Sequence, residues 1–255
     1  MKDYRIALYE KYVSQFKDHT VTLSFEEKNR LWAAFEYRYL PYIQGVGKGS
    51  RILELGCGPG YLLQFLKERE FCNIQGIDVS AEQVDIAKEL GCNAVETDVF
   101  EYLASAEGVY DVIIAVDFVE HFHREELIEL LGKVEQALRR GGRFILQTPN
   151  GEGLFSRQLI YGDLTHCTIF TPNSLKQLLQ MAGFVEVEFS ETGPIPRNLA
   201  GKARLIGWKL VKLGVNGVRR VQSGKKQALW GDNVICCCRR PRKSESEEHT
   251  GSADC

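Results

Sequence analysis

A glycine-rich loop between an apolar run and an amphipathic stretch constrains the fold of this chain more than any other segment. Residues 51–55 form the apolar run, the loop Glu54-Leu-Gly-Cys-Gly-Pro-Gly60 follows, and residues 61–70 carry leucine and phenylalanine at helical spacing. Glycines directly after a strand let the backbone approach a ligand closely and turn into a helix. The segment therefore predicts a strand, a ligand-binding loop and a helix.

The same alternation of apolar runs and amphipathic stretches continues along the chain. Further strands are predicted at 73–79, 93–99, 110–117, 142–150, 185–192 and 233–240, and helices at 81–90, 124–140 and 171–184. Such alternation is typical of a parallel sheet covered by helices. The predicted fold class is α/β, a Rossmann-like, doubly wound, mostly parallel seven-stranded sheet with helices on both faces and an antiparallel last strand.

The spacing inside the glycine loop separates two classes of ligand. A dinucleotide loop has the pattern GxGxxG, but Tyr61 occupies the position of the third glycine here. Glu54 would repel a pyrophosphate, whereas it would attract a ligand with an ammonium and a sulfonium centre. A nicotinamide oxidoreductase remains an alternative that dinucleotide binding would reveal.

The sequence ELGCGPG resembles motif I of class I S-adenosylmethionine-dependent methyltransferases, and the resemblance extends over about residues 50–192. It implies S-adenosylmethionine as methyl donor, with Asp78 on the ribose hydroxyls and Asp98 on the adenine amine. It also implies that the Val99 backbone reads the adenine edge and that Asp117 lies near the methionine moiety. The expected cofactor-binding residues are Glu54, Gly56, Cys57, Gly58, Gly60, Asp78, Val79, Asp98, Val99 and Asp117.

Alternatives to this cofactor site stay open. Each acidic residue alone could be a helix N-cap or a turn residue. Ligands of open parallel sheets bind outside the carboxyl ends of the strands, where these acids are predicted to converge, so a shared site is the preferred interpretation. A module that binds S-adenosylmethionine without turnover would have the same residues.

A second group of polar residues lies in the sequence Tyr161-Gly-Asp-Leu-Thr-His166, just before Phe170-Thr-Pro-Asn-Ser-Leu. It resembles a stretch of methyltransferases that act on small molecules and on saccharides of cell-surface polymers. His166 is the candidate general base, with Asp163 orienting it. Alternatively both residues cap the following helix and hold the loop. His121 is a further candidate, although a histidine at a helix start is more often structural.

These residues predict O-methylation of a hydroxyl on a small molecule or saccharide unit, with N- or C-methylation as alternatives. A net charge of -2 gives no indication of nucleic-acid binding, and none is expected. The eight cysteines lack paired ligand spacing, so no metal site is predicted and a reducing cytoplasm is expected. Cys236, Cys237 and Cys238 are interpreted as small apolar residues of a strand.

The predicted organisation has three regions. Residues 1–48 form a helical cap in which Tyr9 and Tyr12 resemble an aromatic lid, residues 49–240 form the methyltransferase domain, and residues 241–255 form a disordered tail. Residues 193–228 are an amphipathic insertion whose basic part, 201–226, is interpreted as a substrate cap. Peripheral contact with an anionic membrane is the alternative, and the oligomeric state is not predicted.

Overall fold

A seven-stranded sheet forms the centre of the part of the chain that the computed structural model describes, residues 23–242. The strands are β1 (Ile52–Leu55), β2 (Ile74–Asp78), β3 (Ala94–Glu96), β4 (Tyr110–Val116), β5 (Leu138–Pro149), β6 (Val185–Glu191) and β7 (Asn233–Arg239). Their order is β3-β2-β1-β4-β5-β7-β6. β7 is antiparallel to both neighbours and every other neighbouring pair is parallel. The predicted fold class is confirmed, including the antiparallel last strand.

Helices cover both faces of this sheet. They are α1 (Phe25–Arg38), α2 (Leu40–Ile43), α3 (Tyr61–Glu68), α4 (Ala81–Glu89), α5 (Val99–Leu103), α6 (Arg124–Ala137), α7 (Arg157–Tyr161), α8 (Pro172–Met181) and α9 (Leu199–Ser223). The central strand β4 serves both faces, because Val112 and Ile114 pack with α1 and α3 while Ile113 packs with α6 and α8. Its nearly continuous apolar sequence reflects this burial on two sides.

The glycine loop packs closely against β2. A Cβ atom at Gly76 would lie 2.6 Å from the Cβ of Cys57 and 2.6 Å from a methyl carbon of Leu63. The Cys57 N–H also donates to the Ile77 carbonyl at 2.9 Å. Only glycine at position 76 leaves room for this contact, which fixes the loop between β1 and α3 over the sheet edge.

Several predicted element boundaries are wrong. The helix predicted at 124–140 ends at Ala137, because Leu138 pairs with Tyr110 and begins β5 through a register shift. The strand predicted at 93–99 ends at Glu96, and Asp98 instead caps α5, a helix that the sequence did not predict. Cys236 and Cys238 are buried in β7, which confirms their interpretation as strand residues.

The N-terminal region contributes α1 and α2 within the described residues. Trp32 and Tyr39 are buried against the face of the sheet that also carries α3. Tyr9 and Tyr12 lie outside the described residues, as does the tail beyond residue 242. The division of the chain at residues 48 and 240 stays a prediction.

The insertion between β6 and β7 consists mainly of α9. Gly201 is the only buried residue that this helix contributes, and the rest of its length is exposed or half-buried. The helix therefore buries little apolar surface against the core, and the interpretation of 201–226 as a substrate cap stays a prediction. Within residues 23–242, no helix combines the length and apolar character needed to cross a bilayer.

Candidate active site

A cavity of about 970 Å³ opens at the carboxyl ends of the parallel strands. Its lining includes nearly all of the residues predicted to bind cofactor or act on the acceptor: Glu54, Gly56, Cys57, Gly58, Asp78, Val79, Asp98, Val99, Asp117, Asp163 and His166. Gly60 is not part of this lining, and it begins α3 with a φ of +77°. Two sets of residues that are distant in sequence therefore face one cavity.

The glycine loop and Asp78 hold one another in place. Gly56 and Gly58 have φ values of +65° and +52°, a region that disfavours other residues. The Gly58 N–H donates to one oxygen of Asp78 at 2.8 Å, and the Ser80 N–H donates to the other at 2.9 Å. The Asp78 carboxylate is thus fixed before a ligand arrives, and its remaining lone pairs can accept hydroxyl groups such as those of a ribose.

Glu54 presents a buried carboxyl group to the same cavity. Its side chain is 3% exposed, and Oε2 has no hydrogen-bond partner. Burial, with a smaller effect from the negative charge of Asp78, raises the pKa of Glu54 well above its ordinary value. A buried carboxylate is costly unless a cation or donor pairs with it. This position therefore fits the ammonium group of S-adenosylmethionine.

Asp98 lines the cavity and is also a helix N-cap. It is exposed. Its Oδ1 also accepts hydrogen bonds from the N–H groups of Phe100 at 2.8 Å and Glu101 at 3.2 Å, so it is the N-cap of α5. The other oxygen, Oδ2, accepts neither of these bonds. Two valines also line the cavity. Val79, which follows Asp78, is 53% exposed, whereas Val99, which follows Asp98, is buried.

Asp117 has a strained backbone, with a φ of +49° directly after β4. Both of its carboxylate oxygens lie 3.1 Å from Nε2 of Gln147. Tyr39 is the N-cap residue of α2, and its hydroxyl donates a hydrogen bond to Oε1 of the same glutamine at 2.8 Å. Sequence analysis did not identify Gln147 or Tyr39, because partners 30 and 108 residues away leave no local pattern.

Asp163 is linked to His121 through Thr165. The Asp163 Oδ1 accepts hydrogen bonds from the Thr165 N–H at 2.8 Å and from its hydroxyl at 2.6 Å. That hydroxyl lies 2.9 Å from Nδ1 of His121. In contrast, Nδ1 of the half-buried His166 lies 3.3 Å from the Ile160 carbonyl oxygen. The loop interaction proposed as an alternative for Asp163 is therefore present.

Three titratable side chains meet at this end of the cavity. The rings of His121 and His166 have centroids 5.0 Å apart. Glu120 beside them is 1% exposed, and burial raises its pKa well above the ordinary value, with Asp117 adding to the effect. Burial first, and then the proximity of His166, lowers the pKa of His121 to about 4. Sequence analysis missed Glu120, for which the only local signal is its place in the acid and histidine sequence VDFVEH.

The sequence comparisons agree with this architecture. A family model described as a methyltransferase domain matches residues 25–188, more than half of the chain. The chain therefore belongs to the methyltransferase domain family. The resemblance to class I S-adenosylmethionine-dependent methyltransferases that the glycine loop indicated is confirmed, and S-adenosylmethionine is the cofactor of this class.

Individual relatives differ in the acceptor that they methylate. The chain is 28% identical to the sarcosine/dimethylglycine N-methyltransferase of Halorhodospira halochloris over 60% of this chain and 58% of the relative. It is 31% identical to the ubiquinone biosynthesis O-methyltransferase of Cronobacter sakazakii over 40% of this chain and 43% of the relative. The chain thus spans about half the length of the curated relatives it matches.

Solved structures show the same fold. The crystal structure of an S-adenosylmethionine-dependent methyltransferase from Archaeoglobus fulgidus aligns with a TM-score of 0.63 at 24% sequence identity. The alignment covers 93% of this chain and 100% of that protein. At this identity the likeness supports the fold and leaves the acceptor to be inferred from the site.

Proposed function

We propose that this chain transfers the methyl group of S-adenosylmethionine to a hydroxyl group of a small molecule or saccharide unit. The observation that carries this proposal is that one cavity has two chemically different ends. Glu54 offers a buried, unpartnered carboxyl oxygen at one end, and the histidine pair His121 and His166 lies at the other. A cation-binding end and a proton-accepting end are what a sulfonium donor and a hydroxyl acceptor require.

The proposed cofactor contacts are those that the family resemblance implies, and the positions of the side chains around the cavity support them. Glu54 binds the ammonium group, Asp78 binds the ribose hydroxyls, and Asp98 binds the adenine amine through Oδ2. Asp117 borders the methionine moiety from the end of β4. The bound cofactor supplies an electrophilic methyl carbon, and the glycine loop brings its backbone N–H groups close to the ligand.

On the acceptor side, His166 is the proposed proton acceptor. The hydroxyl oxygen forms a bond to the methyl carbon as the sulfur–carbon bond breaks, and the hydroxyl proton passes to the imidazole of His166. Asp163 supports this end of the cavity by fixing Thr165, which contacts His121. A nitrogen or carbon nucleophile would use the same cavity, with less need for a base.

Calorimetry and labelled methyl transfer test the proposal together. We expect purified protein to bind S-adenosylmethionine and S-adenosylhomocysteine, and radiolabelled methyl donor to mark hydroxylated small molecules or saccharides. The candidate acceptors in this assay also include amines and RNA. Absence of binding would contradict the whole proposal, and label in RNA would contradict the expectation that nucleic acid is not the acceptor. Tight binding without any labelled acceptor would favour a non-catalytic module.

We also propose that the protein contacts a membrane surface peripherally through α9. Five apolar side chains recur along one side of this helix with 61–91% of their surface exposed: Leu199, Ile206, Leu210, Leu213 and Val221. Exposed apolar surface that continues along a helix marks a surface for a membrane or a partner. We call these five residues the apolar stripe.

Basic side chains border the apolar stripe. At 100° per residue, Lys202, Lys209 and Arg220 lie along one flank, and all three are exposed. Lys212 instead faces inward and forms an ion pair with Glu191. An apolar stripe with a basic flank is suited to the surface of an anionic bilayer.

Co-sedimentation with lipid vesicles tests this contact. We expect the protein to sediment with vesicles that contain phosphatidylglycerol, and Leu213→Glu to reduce the bound fraction several-fold, because the substitution places a charge on the stripe. Ile128→Glu is the matched control, since Ile128 is 54% exposed on α6. Equal binding to neutral vesicles, or equal loss in both variants, would contradict the proposal.

A further inference from the structure

We propose that Glu120, His121 and His166 form a binding site for one divalent transition-metal cation at the acceptor end of the cavity. Each residue offers one ligand atom, and these atoms all lie within 4.8 Å of one another. Two imidazole nitrogens and a carboxylate oxygen suit manganese, iron, cobalt or zinc. The expectation from sequence was that the chain has no metal site, because its cysteines lack paired ligand spacing. Glu120 and His121 are 45 or more residues from His166, so these three residues leave no local pattern.

The carboxyl group of Glu120 provides the first argument. One of its oxygens accepts a hydrogen bond from the Thr148 hydroxyl at 3.0 Å, whereas Oε1 is buried and has no hydrogen-bond partner. An unsatisfied buried acceptor of this kind destabilises the protein, because it has lost its hydrogen bonds to water. A cation bound beside the two imidazoles would satisfy it.

The orientation of the two imidazoles provides the second argument. Nδ1 of His166 lies 3.3 Å from the Ile160 carbonyl oxygen, and Nδ1 of His121 lies 3.3 Å from the Thr165 carbonyl oxygen. Histidines that bind metals usually donate one ring N–H to a carbonyl or carboxylate, which leaves the other nitrogen as the ligand. In His166 this arrangement presents Nε2 as the metal-binding atom. His121 also has a hydrogen bond to the backbone of Asp117, which it would exchange for the ion.

The surrounding charge also favours a cation. Asp117 and Asp163 both act electrostatically on Glu120. Ligands about 2.1 Å from a zinc ion lie about 3.5 Å from one another. The three side chains therefore need to approach by about 1 Å, which rotation of half-buried rings beside an open cavity permits. A water or an acceptor oxygen would complete the coordination.

The role of the ion rests on the proposed function. A cation that coordinates the acceptor hydroxyl would lower the pKa of that hydroxyl and orient its oxygen toward the methyl group. With the ion bound, His166 is an ion ligand and the hydroxyl proton leaves to solvent. In the metal-free protein His166 keeps the proton-accepting role proposed above. Metal binding itself requires no acceptor and can be measured alone.

The test is a titration of the full chain with manganese chloride after removal of metals with a chelator. We expect calorimetry and electron paramagnetic resonance to show one saturable Mn²⁺ site per chain. Glu120→Gln and His166→Gln should each weaken binding at least tenfold. His123→Gln is the control, because His123 is exposed two residues beyond the site and should bind Mn²⁺ as the parent does.

Two results of the manganese titration would overturn the proposal: no saturable Mn²⁺ site, or unchanged Mn²⁺ affinity in both variants. A third is an absorption spectrum of the Co²⁺-loaded protein that has the charge-transfer bands of thiolate ligands. Thermal unfolding checks that the variants fold, and His121→Gln replaces either one that does not. S-adenosylmethionine binding is measured on the same metal-free protein. If the cofactor binds and Mn²⁺ does not, the metal site fails and the proposed function stands.

Discussion

Replacement of Glu54 by glutamine should weaken S-adenosylmethionine binding by about 10- to 150-fold. A hydrogen bond to a charged group is worth about 1.5–3 kcal/mol, and each 1.4 kcal/mol is tenfold in affinity. Glutamine keeps the shape of the side chain but removes the negative charge that faces the ligand's ammonium group. Calorimetric titration of S-adenosylmethionine into both proteins measures the difference.

The same substitution should not destabilise the protein without ligand, and this separates a binding role from a structural one. Burial raises the pKa of Glu54 in the folded state above its value of about 4.5 in the unfolded chain. The stability of the parent therefore falls as the pH rises above that unfolded value, through the folded pKa. Glutamine does not titrate, so Glu54→Gln should gain stability relative to the parent as the pH rises above about 4.5.

Glu96→Gln is the matched control for this prediction. Glu96 ends β3, is exposed, and does not line the cavity. Glu96→Gln should leave both the affinity for S-adenosylmethionine and the unfolding temperature unchanged. If Glu54→Gln bound the cofactor as tightly as the parent, the assignment of Glu54 to the ammonium group would be wrong.

Replacement of His166 by glutamine should lower kcat by about 100-fold or more and leave S-adenosylmethionine affinity unchanged. General acid–base catalysis by a positioned side chain typically contributes about 10²- to 10⁴-fold. The side chain faces the acceptor end of the cavity, so the loss should fall on turnover rather than on cofactor binding. Labelled methyl transfer at saturating cofactor measures kcat, and calorimetry measures the affinity.

The pH dependence of turnover gives a second measurement. If His166 accepts the proton, the pH profile of kcat should differ between the parent and His166→Gln. His123→Gln should keep the parent profile, because His123 lies outside the cavity lining. Full activity of His166→Gln would identify a reaction that needs neither a base nor a metal at this position.

The sequence predicted the strands and the convergence of several strand-end residues on one cavity, because both depend on local patterns. Glu54, Gly58 and Asp78 follow directly from a glycine loop and from the ends of two apolar runs, and the structure brings them to one edge of the sheet. Boundaries such as the end of α6 at Ala137 were missed. There the pairing of Leu138 with Tyr110 overrides a helical pattern that continues to residue 140.

The acceptor end was less predictable because it depends on contacts between distant segments. His121 and His166 were considered separately from sequence, and only the fold places their rings 5.0 Å apart beside Glu120. The exposed side of α9 was also missed. Helical spacing alone could not decide whether Trp208 or Leu210 faces the protein, a choice made by the hydrogen bond from Trp208 to Glu191.

The hydrogen bond from Tyr39 to Gln147 connects the helices that precede the sheet to the wall of the cavity. Gln147 in turn contacts Asp117, so an amino-terminal residue acts on a strand-end acid through one intermediate side chain. Given the proposed place of Asp117 beside the methionine moiety, substitution of Tyr39 should change cofactor affinity through Gln147, without any direct contact between Tyr39 and the cofactor.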